Sequence, residues 1–217
     1  MRLRKLTWGQ EMAEPAIFRE DWEADTRLAE LFTVTRKAFW RVQFAAASAR
    51  ADFQPHHPSN GAGLLSYIYG TGALRDLLCT KKSGFEINRS KNIESAYHPK
   101  TKRKVIFQNV ESACGEQLPR PISNKGAASA EAVNGQAELF PELAEKDANA
   151  LVWYYCAGMD NTAELLRPKS IEDGQFKGYH ERIWIVRPGE WADVDLSDFE
   201  GGTAADFDVE ISRKDKK

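Results

Sequence analysis

The 217-residue chain has only three cysteines, Cys79, Cys114 and Cys156, and four histidines. The cysteines are odd in number and far apart, which argues against a disulfide framework and fits a reducing cytoplasm. His56, His57, His98 and His180 show no His-x3-His spacing and no Cys-x-x-Cys occurs, so neither a metal site nor a cofactor is expected. No apolar run approaches the roughly 20 residues that cross a bilayer. The charged start, Met1-Arg-Leu-Arg-Lys-Leu6, lacks the apolar stretch of a secretory signal. Charge of one sign is lacking too: 30 basic against 32 acidic residues leave a net −2. That excludes a histone-like polycation and a uniformly acidic nucleic-acid mimic. A chain of this length suits one domain, or one domain with a tail.

What is present divides the chain in two. From Glu20 to Ala51 the apolar residues Trp22, Leu28, Leu31, Phe32, Phe39 and Val42 recur at three- and four-residue steps, predicting one long helix. Leu64 to Leu78 has helical period, but Gly70-Thr71-Gly72 interrupts it, predicting two short helices joined there. Beyond Gly84 the period turns to strands: Phe85–Arg89, Asn92–Tyr97 and Lys104–Val110, the last two separated by a hairpin turn at His98-Pro99-Lys100-Thr101. Residues 115–138 read as a long loop, and 141–150 as a short helix opened by Pro141. Leu151–Ala157 does not alternate, as expected of a central strand buried on both faces. Thr162–Arg167 and Glu181–Val186 complete the strands. The expected fold is α+β, with N-terminal helices packed on an antiparallel sheet. Residues 1–188 form its single domain, helical over 1–83 and strand-rich over 84–188. Residues 189–217 form an acidic tail, disordered or docking.

The balanced net charge conceals segregation. Residues 81–104 carry Lys81, Lys82, Arg89, Lys91, Lys100, Lys102, Arg103 and Lys104 against Glu86 and Glu94. Residues 189–210 carry eight acids and no base. Lysines and arginines at the turn of a two-stranded ribbon reach nucleic-acid phosphates and release counterions. The plainer reading is an edge hairpin whose lysines prevent aggregation. Lys125 in the long loop joins the candidate nucleic-acid residues. Trp191, Asp193, Asp195, Asp198 and Phe199 are candidates for binding a protein partner's basic surface, against the alternative of a solvated tail.

Catalytic constellations are weak. Gly61-Ala-Gly63 and Gly70-Thr-Gly72 do not complete a phosphate loop. Ser123 and Lys125 lack Ser-x-x-Lys spacing. A metal-dependent nuclease would draw on Glu94, Glu111 and Lys104, or on Asp206, Asp208 and Glu210, without the spacing of a restriction-type core. In Gly178-Tyr-His-Glu-Arg182, His180 has acid/base chemistry available, but an ion-pair set on an edge strand explains the same residues.

Two stretches carry a resemblance. Pro58-Ser-Asn-Gly-Ala-Gly-Leu-Leu-Ser-Tyr67 through Leu74-Arg-Asp-Leu-Leu78 is one; Ala163-Glu-Leu-Leu-Arg-Pro168, then Gly174 and Glu181-Arg-Ile-Trp184, is the other. Both resemble uncharacterised bacterial proteins found in phages and mobile elements. The resemblance implies a setting in gene mobility or phage–host conflict and assigns no catalytic residue. The leading expectation is a non-enzymatic protein that binds nucleic acid or a nucleoprotein complex. The alternatives are an inhibitor or adaptor acting through the acidic tail, and a metal-dependent nuclease.

Overall fold

The computed structural model describes residues 14–124, 126–134 and 150–193. Among these residues four α-helices and a seven-stranded mixed sheet define an α+β fold. After a short strand β1 (Ala16–Phe18), the first helical period resolves into two helices, α1 (Asp21–Phe32) and α2 (Arg36–Ala51). The single long helix expected there is broken at Thr33, whose φ of 59° is left-handed. The apolar period continues across the break because both helices bury the same side. Thr35 restarts the helix by accepting a hydrogen bond from the Ala38 N–H, and Asp25 Oδ1 accepts from the Arg36 N–H at 2.6 Å.

α3 (Gly61–Leu78) runs unbroken through Gly70-Thr71-Gly72, where two short helices were expected. Gly70 lies against the Phe107 ring, and a Cβ there would sit 2.3 Å from ring carbons. Close helix–sheet approach therefore requires this glycine, and packing offsets its poor helix propensity of about 1 kcal/mol.

The strands are β2 (Glu86–Asn88), β3 (Ser95–His98), β4 (Arg103–Val110), β5 (Leu151–Gly158), β6 (Ala163–Glu172) and β7 (Gln175–Val186), with a short helix α4 (Ala127–Asn134) between β4 and β5. Their order is β1-β7-β6-β5-β4-β3-β2. The sheet is mixed rather than antiparallel: two antiparallel groups, β2-β3-β4 and β5-β6-β7, join through a parallel β4–β5 pair, and β1 adds parallel to β7. The long segment after β4 is the crossover that a parallel pair requires, and it carries α4 where a loop was expected. β5 is the middle strand, and every residue of it except Leu151 is buried, as its unbroken apolar run implies.

Each sheet face has its own core. Phe32, Phe39, Phe107, Trp153 and Tyr155 pack beneath α1–α3, with Tyr155 stacked between Phe39 and Phe107 at 5.9 and 6.0 Å. Ile106, Val110, Tyr154, Cys156 and Leu166 lie on the opposite face, under Ala113, Cys114, Leu118 and α4. The body extends past residue 188. Glu190–Asp193 form a 3-10 turn, in which Trp191 stacks on Phe44 at 6.3 Å and Glu190 pairs with Arg36 and Arg187. Pro141 and all but the last residue of the helix expected over 141–150 lie outside the described residues, as do Lys125 and the tail from residue 194. Among the described residues no helix is long and apolar enough to cross a membrane.

Candidate nucleic-acid interface

Antiparallel pairing of β2 with β3 sets Glu86 opposite Tyr97, so the chain entering β2 lies beside the turn leaving β3. Contact between the two segments is tight. Gly84 adopts φ 78° against the His98 ring, where a Cβ would approach Nε2 to 2.8 Å, and Phe85 meets the same ring edge-on at 5.1 Å. His98 Nδ1 accepts from the Thr101 N–H at 3.2 Å and so shapes the turn. The Lys102 carbonyl, at a residue with φ 55°, accepts from the Leu151 N–H at 2.6 Å, tying the turn to the central strand. Lys81 and Lys82 on one segment and Lys100 and Lys102 on the other are all exposed. Two abutting loops at one end of the sheet thus present four ammonium groups, with exposed Glu86 beside them.

The other basic residues of 81–104 are distributed differently. Arg89, its side chain 67% exposed, lies 3.3 Å from Glu94, and Lys91 meets Glu131 at 2.9 Å. Both stand at the far end of the β2–β3 ribbon. Arg103 and Lys104 do not belong to an exposed ribbon at all. Arg103 Nη1 donates to the Leu31 carbonyl at 2.6 Å, fastening the start of β4 to the end of α1. Burial and neighbouring Arg27 pull its pKa down from the usual arginine value. Lys104 is 3% exposed and reaches Ser90 Oγ at 3.3 Å. The reason is topological: from Arg103 onward β4 is paired with β3 and β5, so Arg103 and Lys104 lie inside the sheet, whereas the turn before it is exposed.

Of the candidates for a protein partner, Trp191 is partly buried against the protein's own core. The Asp193 backbone closes the turn, while Asp195, Asp198 and Phe199 lie outside the described residues. Of the nuclease candidates, Glu94 pairs with Arg75 and Arg89, Glu111 lies 3.7 Å from Arg120, and Asp206, Asp208 and Glu210 are outside the described residues. Among the described residues no three His, Cys, Asp or Glu side chains are grouped to hold a metal ion.

The pentapeptide at 178–182 divides between the sheet faces. β7 is not an edge strand, because β1 pairs along it. Glu181 binds Arg27 at 2.7 Å and Arg167 at 3.0 Å, so the ion-pair reading holds. Burial, with Arg167 and Lys169 close by, lowers the His180 pKa below the usual histidine value. Arg182 turns the other way into a pair that sequence reasoning missed. Its Nε and Nη2 each donate to the Glu164 carboxylate at 2.8 Å, with side-chain exposures of 1% and 0%. Glu164 Oε2 also accepts the Cys114 N–H at 2.7 Å, and Arg182 Nη2 donates to the Gly115 carbonyl at 2.8 Å. The pair anchors the start of the crossover, where Cys114 is held at φ 56°. Burial, reinforced by Glu164, pushes the Cys114 thiol well above its usual pKa, so it acts as a donor to the Ala163 carbonyl rather than as a nucleophile. The available signal was a single acid, Glu164, beside the apolar residues Ala163, Leu165 and Leu166.

Two cavities flank β4 and its continuation. One of about 330 Å³ lies beside Phe107 and Gln108, and one of about 320 Å³ lies within the 111–120 segment. Compared with protein-family models, curated proteins and solved structures, the chain matches none.

Proposed function

We propose that the protein binds nucleic acid, alone or within a nucleoprotein complex, through phosphate contacts from Lys81, Lys82, Lys100 and Lys102, and that it does so without catalysis. One observation carries the reading: β2–β3 pairing brings two lysine pairs, separate in sequence, onto abutting loops at one end of the sheet. The loops are held by the Gly84–His98 contact and by the bond from Leu151, so the charges share one surface. Exposed lysines gain little from intramolecular pairing. Against a polyanion, each phosphate contact releases condensed counterions, which is where the binding free energy arises. Such contacts position a protein without reading bases. The resemblance of two stretches to phage and mobile-element proteins suits a role at phage or host nucleic acid.

Purification at low salt tests the reading. The protein should co-elute with nucleic acid, seen as a raised 260/280 nm absorbance ratio, and alanine at all four lysines should abolish this while preserving the circular dichroism spectrum. A parent protein that elutes clean and binds neither labelled duplex nor labelled single strand at low salt overturns it.

A further inference from the structure

We propose that the 330 Å³ cavity beside β4 receives an unpaired nucleobase, so that the protein prefers single-stranded to duplex nucleic acid. This rests on the phosphate-binding reading above and adds a site to it. The cavity occupies a gap in the sheet. β3 pairs with β4 only as far as Ile106. Along the same edge, β4 is next met by the Val110–Pro121 bridge and by the Ile122 N–H bonded to the Asn109 carbonyl. Phe107 and Gln108 lie between, and α3 supplies Tyr67 from above.

The lining suits a neutral planar heterocycle. Asn92, Gln108 and Asn124 bring carboxamides, the groups that pair with base edges, and Ser123 and Ser129 bring hydroxyls. Tyr67 supplies an aromatic ring of the kind on which unstacked bases are held. Burial, with Glu94 nearby, raises its phenol pKa, so the ring stays neutral. The acid of the lining, Glu94, is paired with both Arg75 and Arg89, so its carboxylate is already matched and does not invite a cation. Asn124 is oriented by Gln175, whose Nε2 donates to Asn124 Oδ1 at 3.0 Å and so leaves the amide NH2 for a ligand. Lys91 and Asn92 hold consecutive left-handed conformations, φ 53° and 59°, at the rim.

Cations stand at both ends of the path. Arg89 and Lys91 flank the rim, Lys91 while paired with Glu131. The lysine loops begin about 20 Å away, counting six residues of β4 at about 3.3 Å each. That span holds about six stacked nucleotides at 3.4 Å. A base inside a duplex has no access to the gap, whereas one splayed out of a single strand does.

Two measurements test this together: saturation-transfer NMR with adenosine, guanosine, cytidine and uridine, and anisotropy with a labelled 20-nucleotide single strand and its duplex. At least one nucleoside should bind, and the single strand should bind about tenfold more tightly than the duplex at equal salt. Ser123→Ala with Asn124→Ala, both in an exposed loop, and separately Tyr67→Leu should erase nucleoside binding and strand preference while leaving the salt dependence intact. Salt-dependent binding with equal affinity for both strand forms and no nucleoside signal overturns the base site and leaves the phosphate reading standing. Nucleoside binding without any oligonucleotide binding supports the base site and overturns the phosphate reading. Silence in both measurements overturns both.

Discussion

The Glu164–Arg182 pair is the buried connection whose removal the structure prices most clearly. Glu164→Leu leaves a guanidinium that is 1% exposed without its carboxylate. An uncompensated buried charge of this kind costs about 3–5 kcal/mol. Arg182→Met strands the carboxylate instead and should cost a similar amount, eased by the Cys114 N–H that Glu164 still accepts at 2.7 Å. The double variant removes both charges. Replacing a whole buried pair by apolar groups is often neutral or stabilising by about 1–4 kcal/mol. Here the Cys114 N–H loses its acceptor, at about 1–3 kcal/mol for a buried donor. The Gly115 carbonyl lies at an exposed residue and can turn to water. The double variant should therefore fall within about 2 kcal/mol of the parent, well above either single variant. Guanidinium chloride unfolding followed by tryptophan fluorescence measures all three. Where a single variant is unfolded in buffer, recovery of a cooperative transition in the double carries the same information. Single variants that lose less than about 1 kcal/mol, or a double as damaged as the sum of the singles, would refute the reasoning.

Two glycines of α3 should respond in opposite directions. Gly70→Ala forces a methyl into the Phe107 ring and should cost about 1–3 kcal/mol by overpacking. Gly72→Ala meets nothing within 4 Å and should raise the melting temperature, gaining up to about 1 kcal/mol of helix propensity. In a thiol titration of the native protein, half-buried Cys79 should react first, with buried Cys114 and Cys156 reacting only on unfolding. Three fast thiols would contradict the burial. Desolvation opposes ionisation of Glu190, but hydrogen bonds from Arg187 and the charges of Arg36 and Arg187 win, holding its pKa below the usual carboxylate value. Its contribution to stability is therefore present above the unfolded-state pKa, about 4.3, and is lost as pH falls through the lower folded value. Glu190→Gln should accordingly be less stable than the parent at pH 7 and equal to it in strong acid. A constant gap down to pH 2 would count against the Arg36–Glu190–Arg187 network.

Much of the fold was legible because burial leaves period in the sequence. The unbroken run Leu151–Ala157 marked the central strand, and the apolar period from Leu28 to Val42 marked a buried helical side, whereas Trp22, read into the same side, is 70% exposed. Period does not register a break that preserves the buried side, which is why Thr33 passed unseen. Glycine in a helix reads as a defect until the opposing ring is known, and Phe107 is 37 residues from Gly70. Parallel pairing of β4 with β5 was hidden because strand direction is set by the crossover, whose length alone was visible. For the site, sequence proximity misled. Lys102, Arg103 and Lys104 are consecutive, yet one is exposed, one fastens α1 and one is buried. The segments that carry Lys81 and Lys100, by contrast, are brought together at one end of the sheet only through the pairing of β2 with β3.

The slope of log affinity against log salt is the most direct measure of phosphate contact by the two lysine loops. Each neutralised phosphate contributes about 0.9 to that slope on duplex DNA and about 0.7 on a single strand. Alanine at Lys81, Lys82, Lys100 and Lys102 should flatten it by about 3.6 on duplex and about 2.8 on single strands. Alanine at buried Lys104 should leave the slope of the folded fraction unchanged. An unchanged slope in the four-lysine variant would contradict the account and reduce the loops to a guarded sheet edge.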